Sequence, residues 1–177
     1  MYKFMLNETS YHGAGAIKAV PEEIKARGFK KAFVASDPDL VKFGVTKKVT
    51  DLLDEAGIEY VLYSNIKPNP TIENVQTGVA AFKEAGADCI VAIGGGSSMD
   101  AAKVMWLMYE NPEVNFDDIK QKFMDIRKRA FKFPELGKKA KMICIPTTSG
   151  TGSEVTPFAV ITDKKENKKY PLTDYAL

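Results

Sequence analysis

The chain has 177 residues, of which 45% are hydrophobic and 27% charged, a length that allows one well-packed domain and is short for two. No stretch approaches the roughly 20 apolar residues that a membrane span needs, and residues 1–10 lack the basic and apolar segments of a signal peptide. We therefore expect a cytoplasmic protein with no membrane partner, and the net charge of +2 argues against a nucleic-acid partner.

Patterns typical of strands and helices alternate along the chain. Apolar residues recur three and four positions apart in the predicted helices, and short apolar runs between them indicate strands. The predicted helices are residues 16–27, 45–56, 71–85, 98–109 and 116–131. The predicted strands are residues 2–6, 31–35, 59–63, 89–93 and 141–145, followed by a hairpin of 160–163 and 169–172. This alternation predicts a single α/β domain with a doubly wound, mostly parallel sheet.

The cysteines and the histidine limit the possible chemistry. Cys89 and Cys144 both fall in apolar runs, so we expect two buried thiols and no disulfide. His12 is the only histidine of the chain and lies in a polar, glycine-containing turn, where exposure to solvent is expected. A site with several imidazoles on one metal therefore cannot be built from this chain alone.

A run of three glycines follows the most apolar predicted strand. Gly94, Gly95 and Gly96 permit a tight turn and a close approach of a ligand to the backbone, because they carry no Cβ. Ser97 or Ser98 is placed to cap the next helix, whose free N–H groups and positive dipole end favour an anion such as a phosphate. The alternative is an ordinary turn between a strand and a helix, with no ligand.

Other polar loops follow other predicted strands. In open α/β sheets, ligands bind at the carboxyl ends of the strands. Asp37 is therefore a candidate partner for a ribose hydroxyl, although an N-cap role explains it equally well. Residues 146–153 carry hydroxyl groups and glycines suited to phosphate or ribose oxygens, the alternative being a flexible linker.

The glycine run matches neither of the general nucleotide-binding motifs. Met99 stands where the dinucleotide fingerprint has its third glycine, and no Gly-Lys-Ser or Gly-Lys-Thr of a P-loop follows. Local patterns alone thus indicate an α/β protein that binds a ligand with a phosphate.

Two longer motifs resemble a known family. Residues 92–103 read AIGGGSSMDAAK and residues 145–156 read IPTTSGTGSEVT. In this order and at this spacing they are similar to the iron-dependent (group III) alcohol dehydrogenases, and the resemblance covers essentially the whole chain. Within that family, the early part is most similar to lactaldehyde reductases (propanediol oxidoreductases), and the later part to the alcohol dehydrogenase half of bifunctional aldehyde-alcohol dehydrogenases.

The resemblance implies a set of cofactor-binding residues. Gly94, Gly95, Gly96 and Ser97 match the pyrophosphate loop, Asp37 matches the ribose-binding acid, and Asn69 lies in the loop on the adenosine side. The other matching positions are Thr147, Thr148 and Thr151 around the phosphates and adenosine, Val160 and Lys169 near the nicotinamide and its ribose, and Asp100 and Thr156 in the same two motifs. The implied cofactor is NAD, because the charge of Asp37 would lie against the 2′-phosphate of NADP.

The resemblance also implies what this chain lacks. In the family, an N-terminal dinucleotide-binding domain is followed by an all-helical domain whose one Asp and three His bind iron (Fe²⁺), in motifs that come after residue 177. We expect residues 1–177 to be the first domain, with no catalytic residue and no metal ligand of its own. The expected reaction of the full enzyme, which we expect to be a homodimer, is hydride transfer between NAD(H) and a small primary alcohol or diol, or its aldehyde.

Two other interpretations stay open on the sequence. The chain could be a non-catalytic nucleotide-binding module, which metal-dependent turnover would exclude. It could also belong to the related zinc-dependent glycerol dehydrogenase branch, although residues 146–156 argue against that branch.

Overall fold

The computed structural model describes residues 7–120 and 132–177 of the chain. A short 3-10 turn, Ala16–Lys18, leads into the first helix. The helices are α1 (Ala19–Ala26), α2 (Pro38–Lys42), α3 (Lys47–Glu55), α4 (Ile72–Ala85), α5 (Gly96–Glu110) and α6 (Phe116–Ile119). The strands are β1 (Lys31–Ala35), β2 (Glu59–Tyr63), β3 (Cys89–Gly94), β4 (Lys141–Pro146), β5 (Phe158–Asp163) and β6 (Lys168–Thr173).

The first four strands form one parallel sheet in the order β2-β1-β3-β4. Strand β3 lies between β1 and β4, and all six of its residues are buried. This explains its unbroken apolar sequence, because a central parallel strand is covered on both faces. Strands β5 and β6 form a separate antiparallel hairpin, as the sequence predicts.

Helices cover both faces of the sheet, which confirms the doubly wound architecture. On one face, Phe33 and Ile90 belong to the same core cluster as Val79 of α4 and Met105 of α5. On the other face, residues of β1 and β3 pack with Val20 and Ile24 of α1 and with Val49 and Leu53 of α3. Consecutive residues of β1 and β3 alternate between the two clusters, as the period of a strand requires.

Helix α4 is capped at both of its ends. The hydroxyl oxygen of Thr71 accepts a hydrogen bond from the Asn74 N–H at 3.3 Å, which satisfies one free donor of the first turn. Gly86 ends the helix in the left-handed conformation, with φ of 59°. The loop before α4 and the glycine-containing strand after it are thereby fixed in place.

The structure corrects several predicted boundaries. The sequence pattern does not predict helix α2, because five residues beginning with a proline carry too little apolar periodicity. Helix α5 begins at Gly96 with Gly95 as its N-cap residue, so the prediction that Ser97 or Ser98 caps it is wrong; both lie in its first turn. Helix α6 ends at Ile119 because Lys120 is extended, so the helix predicted for 116–131 is not continuous across Lys120.

Parts of other predictions lie outside the described residues. These are the strand predicted at 2–6 and residues 121–131 of the helix predicted at 116–131. Within 7–120 and 132–177, no helix is long and apolar enough to cross a membrane.

Candidate nucleotide-binding site

The centre of the site is the turn between β3 and α5. The carbonyl of Gly94 accepts a hydrogen bond from the Thr147 N–H at 2.9 Å, so the loop after β4 is attached directly to the glycine turn. Gly95 caps α5 without any side-chain hydrogen bond to the helix. The N–H groups of the first turn have no acceptor within the helix, so this 15-residue helix presents donors and its positive dipole end at the turn.

The loop after β4 approaches the glycine turn closely. A Cβ on Gly95 would lie 2.7 Å from Oγ1 of Thr148, which is nearer than non-bonded atoms allow. A Cβ on Gly96 would lie 3.3 Å from Oγ of Ser153 and 3.8 Å from Cγ2 of Thr151. The glycine turn (residues 94–96) and the hydroxyl loop (residues 146–153) therefore form two sides of one site, in which Thr148 and Thr151 are exposed.

Asp37 lies beside the glycine turn, at the end of β1. Its Oδ1 accepts a hydrogen bond from the Leu40 N–H at 2.9 Å, so the N-cap interpretation of the sequence is confirmed. Its Oδ2 accepts from the Ser98 hydroxyl at 3.4 Å and would lie 3.6 Å from a Cβ on Gly94. The carboxylate is thus held at the turn, and its contact with a ribose hydroxyl stays a prediction.

Asn69 and Lys169 extend the site beyond the glycine turn. The Asn69 N–H donates to Oγ of Ser97 at 3.3 Å, and its side-chain Oδ1 accepts from Nζ of Lys169 at 2.7 Å. Asn69 adopts a positive φ of 52°, which Asn tolerates better than most residues. The loop before α4, the first turn of α5 and strand β6 therefore meet at this residue.

Asp100 and Thr156, which the resemblance places among the cofactor-binding residues, make hydrogen bonds within the protein. Oδ2 of Asp100 accepts a hydrogen bond from the Val160 N–H at 3.0 Å. The carbonyls of Thr156 and Phe158 both accept from the buried ammonium group of Lys103, at 3.0 Å in the case of Phe158. These groups connect α5 to the segment that leads from the hydroxyl loop into β5.

Sequence reasoning missed Lys103. Burial lowers the pKa of Lys103, and burial also raises the pKa of Asp100, although the Val160 N–H and Lys103 partly offset the second shift. One signal is present in the sequence: Lys103 stands three positions after Asp100 within a helix of mostly small and apolar residues, so both charges fall on a buried face.

A separate cavity lies next to this site. Its volume is about 490 Å³, and it is lined by the loop of residues 65–71, the first turns of α4 and two residues near the end of β5. Asn69 is the one predicted site residue among its lining residues. The glycine turn and the hydroxyl loop do not contribute to it.

The described residues contain neither a cluster of metal ligands nor a disulfide. Among them, no three His, Cys, Asp or Glu side chains are grouped so that they could hold a metal ion. Both cysteines are free thiols; Cys89 is buried as predicted, whereas Cys144, on the edge strand, is only partly buried. His12 is exposed, also as predicted.

Comparison with known proteins supports the resemblance seen in the sequence. The family model of iron-containing alcohol dehydrogenases matches residues 7–177. Aldehyde-alcohol dehydrogenase 2 of Entamoeba histolytica is 56% identical over 149 residues, 83% of this chain and 17% of that protein. NADPH-dependent butanol dehydrogenase of Clostridium saccharobutylicum is 43% identical over 99% of the chain and 42% of that protein, and lactaldehyde reductase of Escherichia coli K12 is 40% identical over 97% and 43%.

The fold agrees with solved structures of this family. The iron-containing alcohol dehydrogenase of Thermococcus thioreducens superposes with a TM-score of 0.86 at 29% identity, over 98% of this chain and 44% of that one. The chain therefore spans less than half the length of each of these relatives. Both the sequence match and the superposition show that this chain belongs to the iron-containing alcohol dehydrogenase family.

Proposed function

We propose that residues 1–177 form the NAD(H)-binding part of an oxidoreductase that transfers a hydride between NAD(H) and a small primary alcohol or diol, or its aldehyde. The observation that carries the proposal is the contact of Gly95 with Thr148, where a Cβ would lie 2.7 Å from the hydroxyl oxygen. A backbone turn without side chains, at the start of a long helix and facing a hydroxyl, suits a pyrophosphate.

The other residues of the site fit the remaining parts of a dinucleotide. The Asp37 carboxylate can accept hydrogen bonds from the hydroxyls of a ribose. The hydroxyls of Thr147, Thr148 and Thr151 can donate to phosphate oxygens, and Lys169, whose ammonium group is held by Asn69, supplies a positive charge on the side of the hairpin. When bound, the nicotinamide ring would accept or donate the hydride, and the chain's own residues would bind and orient it.

Iron, unlike the nucleotide, has no candidate site in 7–120 and 132–177. These residues hold no group of side chains that could bind a metal, so they do not fit an iron site. By resemblance to the family, we propose that the all-helical domain supplies the ligands and that residues 1–177 alone bind NAD without turning over alcohol.

Calorimetric titration of the purified chain with NADH, and then with NADPH, tests the proposal. Gly95→Asp should abolish binding, because it adds both bulk and negative charge where the pyrophosphate would lie. Gln76→Asp, which adds the same charge to an exposed position of α4, should bind NADH like the wild type. A folded wild-type chain that does not bind NADH would contradict the proposal.

Asp37→Asn tests which nucleotide is preferred. The Asn side chain can still cap α2, so the free energy of unfolding should change by less than about 0.5 kcal/mol. Loss of the negative charge should raise the affinity for NADPH relative to NADH by about tenfold, because the repulsion of a 2′-phosphate disappears. An unchanged ratio of the two affinities would show that Asp37 serves only as a cap.

A further inference from the structure

Lys103 and Asp100 are charged residues that the proposed binding of NAD does not use directly. Lys103 is 3% exposed, and its ammonium group donates to the carbonyls of Thr156 and Phe158. Asp100 lies one turn earlier in α5 and accepts from the Val160 N–H at 3.0 Å. Together they bind the backbone at alternate residues, 156, 158 and 160, from the helix that begins with the glycine turn.

These contacts help to position the hydroxyl loop. The loop is attached to the glycine turn at its start, where the Thr147 N–H donates to the carbonyl of Gly94. Its residues 147–151 are exposed, so packing against the core does little to fix them. At its far end Lys103 and Asp100 bind the backbone of residues 156, 158 and 160, where Ala159 is also buried in the core, and Thr148, Thr151 and Ser153 lie between the two attachments, facing Gly95 and Gly96.

The burial of the Lys103 ammonium group calls for a physical explanation. Its desolvation costs free energy unless hydrogen bonds replace the lost water, and an apolar side chain of the same length would avoid that cost. An apolar side chain would, however, leave the carbonyls of Thr156 and Phe158 without this donor. Lys103 is therefore suited to fixing the path of the backbone at residues 156 and 158, whose carbonyls accept from it, beside Ala159, which packs in the core.

We propose that Lys103 and Asp100 are positioning residues, which hold the hydroxyl loop, through the backbone that follows it, at the distance from the glycine turn that a pyrophosphate requires. Neither residue needs to touch the nucleotide. This proposal rests on the proposed nucleotide-binding function, and it adds that the affinity of the site depends on two charged groups behind it.

The main test is Lys103→Met, which preserves the length of the side chain and removes its hydrogen-bond donors. NADH titration is carried out well below the midpoint of thermal unfolding, together with amide hydrogen exchange of segment 147–160. We expect NADH affinity to fall about tenfold or more and exchange in the segment to become faster. Lys48→Met, on the exposed side of α3, is the matched control and should change neither.

A pair of Asp100 variants tests the positioning role separately, also if Lys103→Met does not fold. Asp100→Asn keeps an oxygen that can accept from the Val160 N–H and should bind NADH nearly as well as the wild type. Asp100→Ala removes the acceptor and should lose affinity. Equal affinity of these two variants would overturn the role of Asp100.

The outcomes separate this proposal from the proposed function. If Lys103→Met unfolds at a lower temperature but binds NADH like the wild type, Lys103 only stabilises the fold and the positioning role is overturned. If the wild type itself does not bind NADH, the proposed function fails. In that case, unchanged hydrogen exchange of segment 147–160 in Lys103→Met would overturn the positioning role as well, and faster exchange would support it.

Discussion

Strands β3 and β4 lie side by side and carry the two loops of the site, yet their surroundings differ. All six residues of β3 are buried between β1 and β4. Strand β4 is at the edge of the sheet, and none of its six residues is fully buried. The elements that follow them differ in the same way: α5 is buried over most of its length, and residues 147–151 after β4 are exposed.

This difference means that the two sides of the site are fixed by different forces. The glycine turn is held by apolar packing on both faces of the sheet, which is strong and insensitive to any one polar contact. The exposed hydroxyl loop is held at its start by the hydrogen bond from the Thr147 N–H, and beyond its end by the hydrogen bonds of Lys103 and Asp100 with the backbone around the buried Ala159. Loss of packing beneath the glycine turn should therefore lower the stability of the fold, and loss of the hydrogen bonds that position the hydroxyl loop should lower nucleotide affinity.

The largest effect is expected where packing supports β3 and α5. The ring of Phe82 is fully buried and stacks between those of Phe33 and Tyr109, with centroid distances of 4.7 and 3.9 Å. Phe82→Ala removes both contacts and leaves a cavity, so we expect the free energy of unfolding to fall by about 4 kcal/mol in urea denaturation.

The control for this prediction is Phe43→Ala. The side chain of Phe43 is 73% exposed, and its removal should change the free energy of unfolding by less than about 0.5 kcal/mol. A loss of similar size in both variants would show that the aromatic stack does not organise the core beside β3.

A smaller loss is expected where a single carboxylate positions the start of β4. Glu110 is 6% exposed, and its carboxylate accepts from the backbone N–H groups of Lys138, Lys139 and Ala140 at 3.2, 2.8 and 2.6 Å. Glu110→Ala leaves these donors without their acceptor, so the free energy of unfolding should fall by about 2–3 kcal/mol.

NADH affinity sharpens this second prediction. Residues 138–140 lead into the amino end of β4, and the hydroxyl loop follows its carboxyl end. We therefore expect Glu110→Ala to bind NADH like the wild type while it is folded. Glu55→Ala, at an exposed position, should alter neither stability nor affinity, and a large loss of affinity in Glu110→Ala alone would show that the two ends of β4 are coupled.

The sequence predicts the packed side of the site better than the polar side. Strand β3 and the glycine turn are predictable because burial on both faces leaves an unbroken apolar run followed by Gly94. The N-cap residue of α5 is not predictable from the sequence, because serine is a more common N-cap residue than glycine. Only the close approach of Thr148 shows why Gly95 occupies that position. The contact of Asp100 with Val160 joins residues 60 positions apart, and no local pattern records such a contact.

The smallest effect is expected from the cysteines, one on each strand. Burial raises the pKa of Cys89 on β3 to about 12, with a smaller contribution from Asp88. Burial also raises the pKa of Cys144 on β4, to about 11, and Lys103 partly offsets this shift. Because the thiolate is the reactive form, Cys144 should be alkylated about tenfold faster than Cys89 at about pH 9. The greater exposure of Cys144 should increase this ratio of rates further.

The variant Lys103→Met also tests the difference in pKa between Cys89 and Cys144. Without the charge of Lys103, the pKa of Cys144 should rise and its alkylation should slow, while Cys89 is unaffected; mass spectrometry of the two peptides measures both rates.

Each thiol has a higher pKa in the folded chain than in the unfolded chain, so its contribution to stability is complete below about pH 9 and is lost as the pH rises toward 11 or 12. Equal alkylation rates for Cys89 and Cys144 would contradict the predicted difference in pKa and would mean that the thiol on the edge strand is as well protected as the thiol on the central strand.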